Sequence, residues 1–531
     1  MIRMANVKAP LDFTPAFLRE AAAKGLSVKV GDLQSVRILR KSLDARKRSA
    51  IHYVLTLGVE TADEAQIVAK CRDSNIQLVP VYVPQELPDW DAPHPPIVVG
   101  SGPAGLFAAL TLARAGARPL VLERGDDVDL RQGAVQRFWS GGELDPESNV
   151  QFGAGGAGTF SDGKLTTGIK DLFAGEVLRE FHRHGAPEEI LIDAKPHIGT
   201  DFLVEIVRGL RQSIESLGGR VLFRGKFVDF RMEEGHVSHG VYEHGGETIT
   251  IPTNHIILAT GHSARDVFAL LHDRGVTLAQ KPFSVGVRIE HKQGLINRAL
   301  YGDMADSGLL PAADYKLAAR LSSGRGVYTF CMCPGGHVVA ASSESGGITT
   351  NGMSYHARDG ENANSALLVD VQPTDFGSAH PLAGIAFQRE IEGRAYGLTG
   401  SYRAPVATVR ELYAGRLDGI GSSVRPTYLP GTVPALPGDY LPGFVAESLR
   451  EGLSLLGKRL RGFDTPDAIL TGPETRSSSP VRILRGADGS SVSHPGLYPT
   501  GEGAGYAGGI VSAAVDGMRA AVAVLNSANL S

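Results

Sequence analysis

The sequence predicts an α/β chain: a nucleotide-binding domain split along the sequence, an α+β domain inserted between its halves, and a small α/β module in front. Three observations carry the prediction. A strand–glycine turn–helix–strand unit lies at Ile97–Gly125. A proline-rich stretch, 84–96, separates it from everything upstream. A second strand–glycine turn–helix run, 496–525, closes the chain. At 531 residues there is room for about three to four domain-sized units. With 42% hydrophobic and 21% charged residues and a net charge of −4, the chain lacks the basic excess of a nucleic-acid or membrane-surface protein. Three cysteines exclude a disulfide scaffold. Together with an N-terminus that lacks a signal-peptide pattern, they lead us to expect a cytoplasmic protein without membrane spans.

Residues 1–83 read as the separate module. A helix is expected at Thr14–Ala23 and strands at Ser35–Leu43 and Ala50–Val59. In the last of these Ile51, Tyr53, Leu55, Leu57 and Val59 recur with the period of two that half-buries a strand. Thr61 is expected to cap a helix through Lys70, and Gln77–Val83 to form another strand. This order suggests a ferredoxin-like sandwich. Its cluster of Arg37, Arg40, Lys41, Arg46, Lys47 and Arg48 reads as a solvated hairpin face. No RNA-binding aromatics accompany it, so a nucleic-acid partner is not expected. Residues 84–96 read as a stiff, extended linker.

The unit at Ile97–Gly125 opens the first nucleotide-binding segment, 97–274. Gly100-Ser101-Gly102-Pro103-Ala104-Gly105 has the Rossmann fingerprint spacing between strand and helix. Gly100 permits the tight turn, Gly102 lets backbone approach a pyrophosphate, and Gly105 allows close helix–strand packing. Pro103 and Ala104 open the helix, whose N–H groups face the phosphates. Glu123, at the tip of the second strand, can take both ribose hydroxyls of an adenosine and disfavours a 2′-phosphate. Arg124 beside it is assigned to the same site. Gly153, Gly155 and Gly158 repeat the spacing, but no apolar strand precedes them. They read instead as a loop whose Gly155, Gly156 and Thr159 lie against a flat ring. Helices are expected at Asp171–His184 and Asp201–Leu217, then a run of strands ending in Ile256–Ala259, Thr260 and Gly261. His262 is a candidate proton donor and Ser263 a helix cap.

Residues 275–465 read as the inserted α+β substrate domain, with strands at Val285–His291 and Gly326–Cys333 and a helix at Leu441–Leu460. Turn-rich Thr350–Tyr355 and Asn362–Ser365 could line a pocket. Cys331 and Cys333 fall on one face of an extended segment, and core packing is their expected role. Three cysteines are too few for a metal centre unless histidines join, so no metal is expected. Residues 466–531 return to the first domain. Arg476 and Ser478 are assigned to the substrate side, where an arginine could orient an acidic group. Gly501, Glu502, Gly508, Gly509 and Ile510 then form a glycine–acid turn leading into an apolar helix. Such an acid bonds a ribityl chain, and such a helix start faces a flavin's pyrimidine edge. NAD-only dehydrogenases have no need of this element, so the dinucleotide is read as FAD.

The runs GSGPAGLFAAL, FGAGGAGTFSDGKLTTG, ATGHSARD, FCMCPGG, TNGMSY, ETRSSSPVRI and GEGAGYAGGI spread across nearly the whole chain. In them the chain resembles bacterial FAD-dependent dehydrogenases of largely unassigned substrate, which place a small α/β module ahead of a glutathione-reductase-type FAD domain. One departure is Ala154, where many relatives would have Glu. The resemblance implies FAD, a discontinuous Rossmann-type FAD-binding domain and redox chemistry. The expected function is an FAD-dependent oxidoreductase that passes hydride through flavin N5 to or from a small molecule, with His262, Arg476 and Ser478 as catalytic candidates. NAD(P)H is left open as a transient donor, although no dedicated domain for it is expected. Two alternatives remain: a flavin monooxygenase, or an RNA-associated flavoprotein using the basic N-terminal module.

Overall fold

The structure, a computed structural model, describes residues 1–80, 83 and 86–529. The N-terminal module is a four-stranded antiparallel sheet in the spatial order Leu33–Asp44, His52–Thr61, Ile2–Ala9, Ile76–Leu78. Helices Pro15–Leu26 and Glu64–Lys70 complete a ferredoxin-like βαββαβ order. The first strand escaped the sequence reading because Asn6 at φ +59° and a register shift between Met4 and Val7 break its alternation. Thr61 is not a helix cap. Its hydroxyl donates to the Asp32 carbonyl at 2.8 Å, and Asp63 takes the cap position without a side-chain bond. The last strand stops at Leu78, and residues 81 and 82 of the expected span lie outside the described residues.

The basic cluster is largely paired. Arg46 meets Asp44 at 2.6 Å, Arg37 meets Glu60 at 3.7 Å, and Lys41 meets Asp193 at 3.1 Å. Arg48 donates to the Ala299 carbonyl at 2.5 Å, so Lys41 and Arg48 dock the module on the rest of the chain. The proline-rich stretch, of which residues 84 and 85 lie outside the described residues, is not a free spacer either. Trp90 N–H donates to the Ala115 carbonyl at 2.9 Å and its ring meets His255 edge-on.

The nucleotide-binding domain is built on a five-stranded parallel sheet. Its order is Leu497–Pro499, Ile256–Leu258, Ile97–Val99, Leu120–Glu123, Arg220–Phe223. The central strands are wholly apolar and buried, as a sheet covered on both faces requires. The strand run expected before Thr260 divides: Lys226–Glu233, His236–His244 and Glu247–Pro252 form a separate antiparallel sheet, and Ile256–Leu258 joins the parallel one. The C-terminal helix, Ile510–Ala528, is the one helix among the described residues long and apolar enough to cross a membrane. It lies against the fingerprint helix, Pro103–Arg114, so tightly that a Cβ on Gly517 would fall 2.0 Å from the Ala104 carbonyl oxygen.

The inserted domain is a seven-stranded mixed sheet with Phe283–Lys292 at its centre. Ile469–Glu474 pairs with that strand and with Ala404–Thr408. The expected boundary at 465/466 therefore falls too early. Ile469–Glu474 belongs to the inserted sheet because both its edges are hydrogen-bonded there. Ser263 is not the cap of helix Arg265–Asp273. Ala264 holds that position, and the Ser263 hydroxyl donates instead to Gln151 at 3.1 Å.

Burial lowers the pKa of four histidines, His337 among them. His197, His255 and His291 are each drawn down to about 4 from 6.5, by desolvation first. His291 is 0% exposed and its Nε2–H donates to the Phe463 carbonyl at 2.7 Å. Between those two pH values the unfolded chain binds more protons than the folded one, so stability must fall as pH is lowered through the window. The thermal unfolding midpoint should drop steadily from pH 6.5 to about 4, and His291→Gln should flatten part of that slope, as scanning calorimetry across the range would reveal.

Candidate functional site

Two helices begin at the same place. The fingerprint helix starts after Gly102 and the C-terminal helix after Gly509, and neither N-cap supplies a side-chain bond. A Cβ placed on Gly158 would lie 3.5 Å from Ile510 Cγ1 and 3.7 Å from Pro103 Cγ, so the two first turns flank that loop. Two sets of unpaired N–H groups and two positive dipole ends thus converge, an arrangement suited to an anionic, electron-accepting ligand.

The glycines divide into those that build the turn and those that leave space. Gly100 has φ +100°, and a Cβ there would meet the Ala259 carbonyl oxygen at 2.4 Å. Gly105 packs on Gly100 itself, where a Cβ would fall 1.8 Å from its carbonyl oxygen. Gly102 is different: the nearest atom to its Cβ position is Gly156 Cα, at 3.8 Å. Gly261 and Gly508 have nothing within 4 Å. Bare backbone at Gly102, Gly261 and Gly508 is a cradle that side chains would fill, and an extended dinucleotide fits it, whereas a Cβ on Gly156 would fall 3.0 Å from Gly102 Cα.

Glu123 has another role than the expected one. Its Oε2 accepts from Ser101 N–H at 2.9 Å and Ser101 Oγ at 2.7 Å. Its Oε1 accepts from Gly125 N–H and Gly153 N–H, both at 2.9 Å. A carboxylate has about four acceptor positions, so this one, 4% exposed, has none left for ribose hydroxyls. Glu123 clasps the fingerprint turn, the strand tip and the glycine loop together. Arg131, 0% exposed, holds the same loop from its other side by donating to the carbonyls of Asn149, Val150, Gly153 and Ala154. Burial draws its guanidinium down to about 10 even though the Glu123 charge opposes this. Sequence reading missed Arg131, since nothing around a single arginine on a helix marks it as buried.

Several other expected residues also face inward. The Thr159 hydroxyl donates to the Ala154 carbonyl at 3.2 Å, and a Cβ on Gly155 would strike that hydroxyl, so both shape the loop rather than offer groups to a ring. Arg124 pairs with Asp266 at 2.5 Å and lies over the Phe152 ring. Gly501 N–H and Thr500 Oγ donate to Asp516 of the C-terminal helix at 2.7 and 2.9 Å, which anchors the glycine–acid turn. Thr260 makes only a long contact, 3.5 Å, to the Gly261 carbonyl.

Of the catalytic candidates, His262 stays at the site. It is 8% exposed, its Nδ1 lies 3.4 Å from Glu502 Oε1, and its Nε2 is buried without a hydrogen-bond partner. Gly261 and Gly503 touch beside the pair, so the two cofactor turns bring it together. Arg476 does not face a substrate. It donates to Glu392 at 3.0 and 3.1 Å and to Ser263 Oγ at 3.1 Å, and Arg265 binds the same carboxylate twice at 2.9 Å. Burial would raise the Glu392 carboxyl, but the two guanidiniums hold it well below the usual range. Ser478 is reached only by Lys281 Nζ at 3.4 Å.

A split parallel-sheet domain with this double helix start defines a dinucleotide-binding flavoprotein. Residues 95–297 match the pyridine nucleotide-disulphide oxidoreductase family, residues 282–477 the FAD-dependent protein, C-terminal domain-like family, and residues 1–60 a domain of unknown function. An uncharacterized protein of Clostridium beijerinckii is 44% identical, over 100% of this chain and 99% of its own. The chain belongs to the family of FAD-dependent oxidoreductases of unassigned substrate, and its cofactor is FAD. Among solved structures it is similar to the flavin-dependent brominase Bmp2 triple mutant, at 13% identity and a TM-score of 0.38, over 82% of this chain and 80% of that one. It is also similar to a geranylgeranyl bacteriochlorophyll reductase-like protein of Thermoplasma acidophilum, at 14% identity and a TM-score of 0.35, over 82% and 79%.

Two substitutions test this geometry. Gly102→Val fills the cradle at the pyrophosphate position and should yield apoprotein with an unchanged fold, measured as flavin per protomer and by circular dichroism. Glu123→Gln puts an NH2 group against two N–H donors, so one pair loses its acceptor. Unfolding in denaturant should show a loss of about 1–3 kcal/mol.

Proposed function

We propose that the protein is a dehydrogenase or reductase that transfers hydride between flavin N5 and a small molecule, with His262 as its proton-holding group. The observation that carries this reading is the His262–Glu502 pair set between the two cofactor turns, with a buried imidazole nitrogen left unpartnered. Bound FAD supplies a two-electron hydride acceptor and donor. The chain's own contribution is position and charge. The Pro103 and Ile510 helix starts favour negative charge on the phosphates and on the pyrimidine edge. Glu502 orients His262 through Nδ1, which leaves Nε2 to give or take the proton that accompanies hydride transfer. Glu502 can also bind the ribityl chain, since its carboxylate is 32% exposed and meets His262 through one oxygen.

The Arg265–Arg476–Glu392 cluster has a supporting role. Both arginines are consumed by protein carboxylates, so substrate charge would not be read by them. A cytoplasmic site of action remains part of this proposal.

The test is anaerobic reduction of the purified yellow protein with NADH, NADPH and a panel of organic donors. At least one donor should bleach the flavin without oxygen. His262→Gln should slow that reduction by about 10²–10⁴-fold while FAD content stays constant. Bleaching by no donor, with oxygen incorporated into a product in air, would favour a monooxygenase instead.

A further inference from the structure

We propose that Cys331 and Cys333 are a redox-active dithiol that reacts with low-molecular-weight disulfides, Cys331 as the attacking thiolate and Cys333 as the resolving thiol. Neither residue serves the flavin chemistry above. The strand Gly326–Cys333 loses register between Phe330 and Cys333, and Cys331 there has φ +43°. That bulge takes the cysteines out of an extended run, in which alternate side chains stand too far apart to bond. Cys333 Sγ donates to the Cys331 carbonyl at 3.3 Å. Cys333 is buried, whereas Cys331 is half-buried and next to the exposed Phe330, so an incoming disulfide meets Cys331 first.

The surroundings favour a thiolate. Arg288, 0% exposed, donates to the Cys331 carbonyl at 2.7 Å, approaches Cys333 Sγ at 3.7 Å and pairs with Glu474 at 3.0 Å. Lys164 donates to the Met332 carbonyl and to Asp162, which Arg358 also binds. Arg288 and Lys164 are the cations that reach the backbone of the pair, and both favour a thiolate on Cys331. The Cys333 hydrogen bond first, and then Arg288 and Lys164 against the effect of burial, draw the Cys331 thiol down to about 6. The Cys333 thiol moves up, pushed by its bond to Cys331 and by burial. That asymmetry separates attacker from resolver.

The chemistry balances. The Cys331 thiolate attacks one sulfur of RSSR, forms a Cys331–SR bond and releases RS⁻. The Cys333 thiol gives its proton to that RS⁻ and attacks the Cys331 sulfur. The Cys331–SR bond breaks, a Cys331–Cys333 bond forms, and the second RS⁻ leaves to be protonated by water. The dithiol has lost two electrons and RSSR has gained them.

The test uses the FAD-loaded protein with Cys71→Ser, which removes the remaining cysteine, and oxidised glutathione as the disulfide. Intact mass should show the loss of two hydrogens, and neither thiol should then alkylate. Adding Cys333→Ser should trap a single glutathione on Cys331, whereas Cys331→Ser should leave Cys333 unmodified. If either variant fails to fold, acid quenching of the Cys71→Ser protein at short times should place the mixed disulfide on Cys331 by peptide mapping. Two thiols still alkylatable after excess glutathione disulfide, or an adduct on Cys333, would overturn the proposal.

Discussion

The FAD site depends on one buried carboxylate. Three segments remote in sequence must meet before there is a cradle: the fingerprint turn at Ser101, the strand tip at Gly125 and the glycine loop at Gly153. Each brings an N–H group into a region without water, and an unpaired N–H there costs about 1–3 kcal/mol. Glu123 satisfies all three and the Ser101 hydroxyl besides. Gly153 has φ +115°, and a Cβ at Gly125 would lie 2.6 Å from its backbone, so the carboxylate works only because both positions are glycines. Arg131 neutralises the charge and binds the loop's carbonyls. Donors go to Glu123 and acceptors to Arg131, and this shapes a loop whose regular structure is one short 3-10 helix, Gly156–Phe160.

The same reasoning explains why the chain must return to its start. A single Rossmann unit presents one helix N-terminus, enough for a pyrophosphate. The flavin end needs a second, and Ile510–Ala528 supplies it by packing on Pro103–Arg114 through Gly517. Its apolar composition follows from that burial. Asp516, one residue earlier, ties the helix to the Thr500–Gly501 turn and to Arg485 at 2.7 Å. Helix position and turn position are therefore coupled.

Much of this was legible in the residues. The fingerprint, its flanking apolar strands and the glycine–acid turn before the last helix are local patterns with a period or spacing, and they read as FAD before any coordinates. What could not be read was which way a polar group turns. Glu123, Thr159 and Arg476 have the right chemistry and neighbourhood for ligand contacts, and all three spend their hydrogen bonds on the protein. Spacing locates a side chain on an element, but saturation of its polar atoms depends on partners as far as 213 residues away. Arg131, Arg288 and Asp516 were missed for the same reason in reverse. A lone charged residue in an amphipathic or mixed segment looks solvated until the far partner is known.

The buried charges also bear on how the two domains are held. Arg265 follows the flavin-side turn at Gly261, Glu392 sits on a helix of the inserted domain, and Arg476 follows the inserted-sheet strand Ile469–Glu474. Exchanging such a cluster for apolar side chains often costs nothing, so stability alone does not explain it. Removing one member, however, strands an unsolvated charge. The cluster therefore penalises every relative placement of the domains except one. Arg358–Asp162 acts likewise beside the cysteine bulge. Paired charges at domain seams thus trade solvation for geometric selectivity.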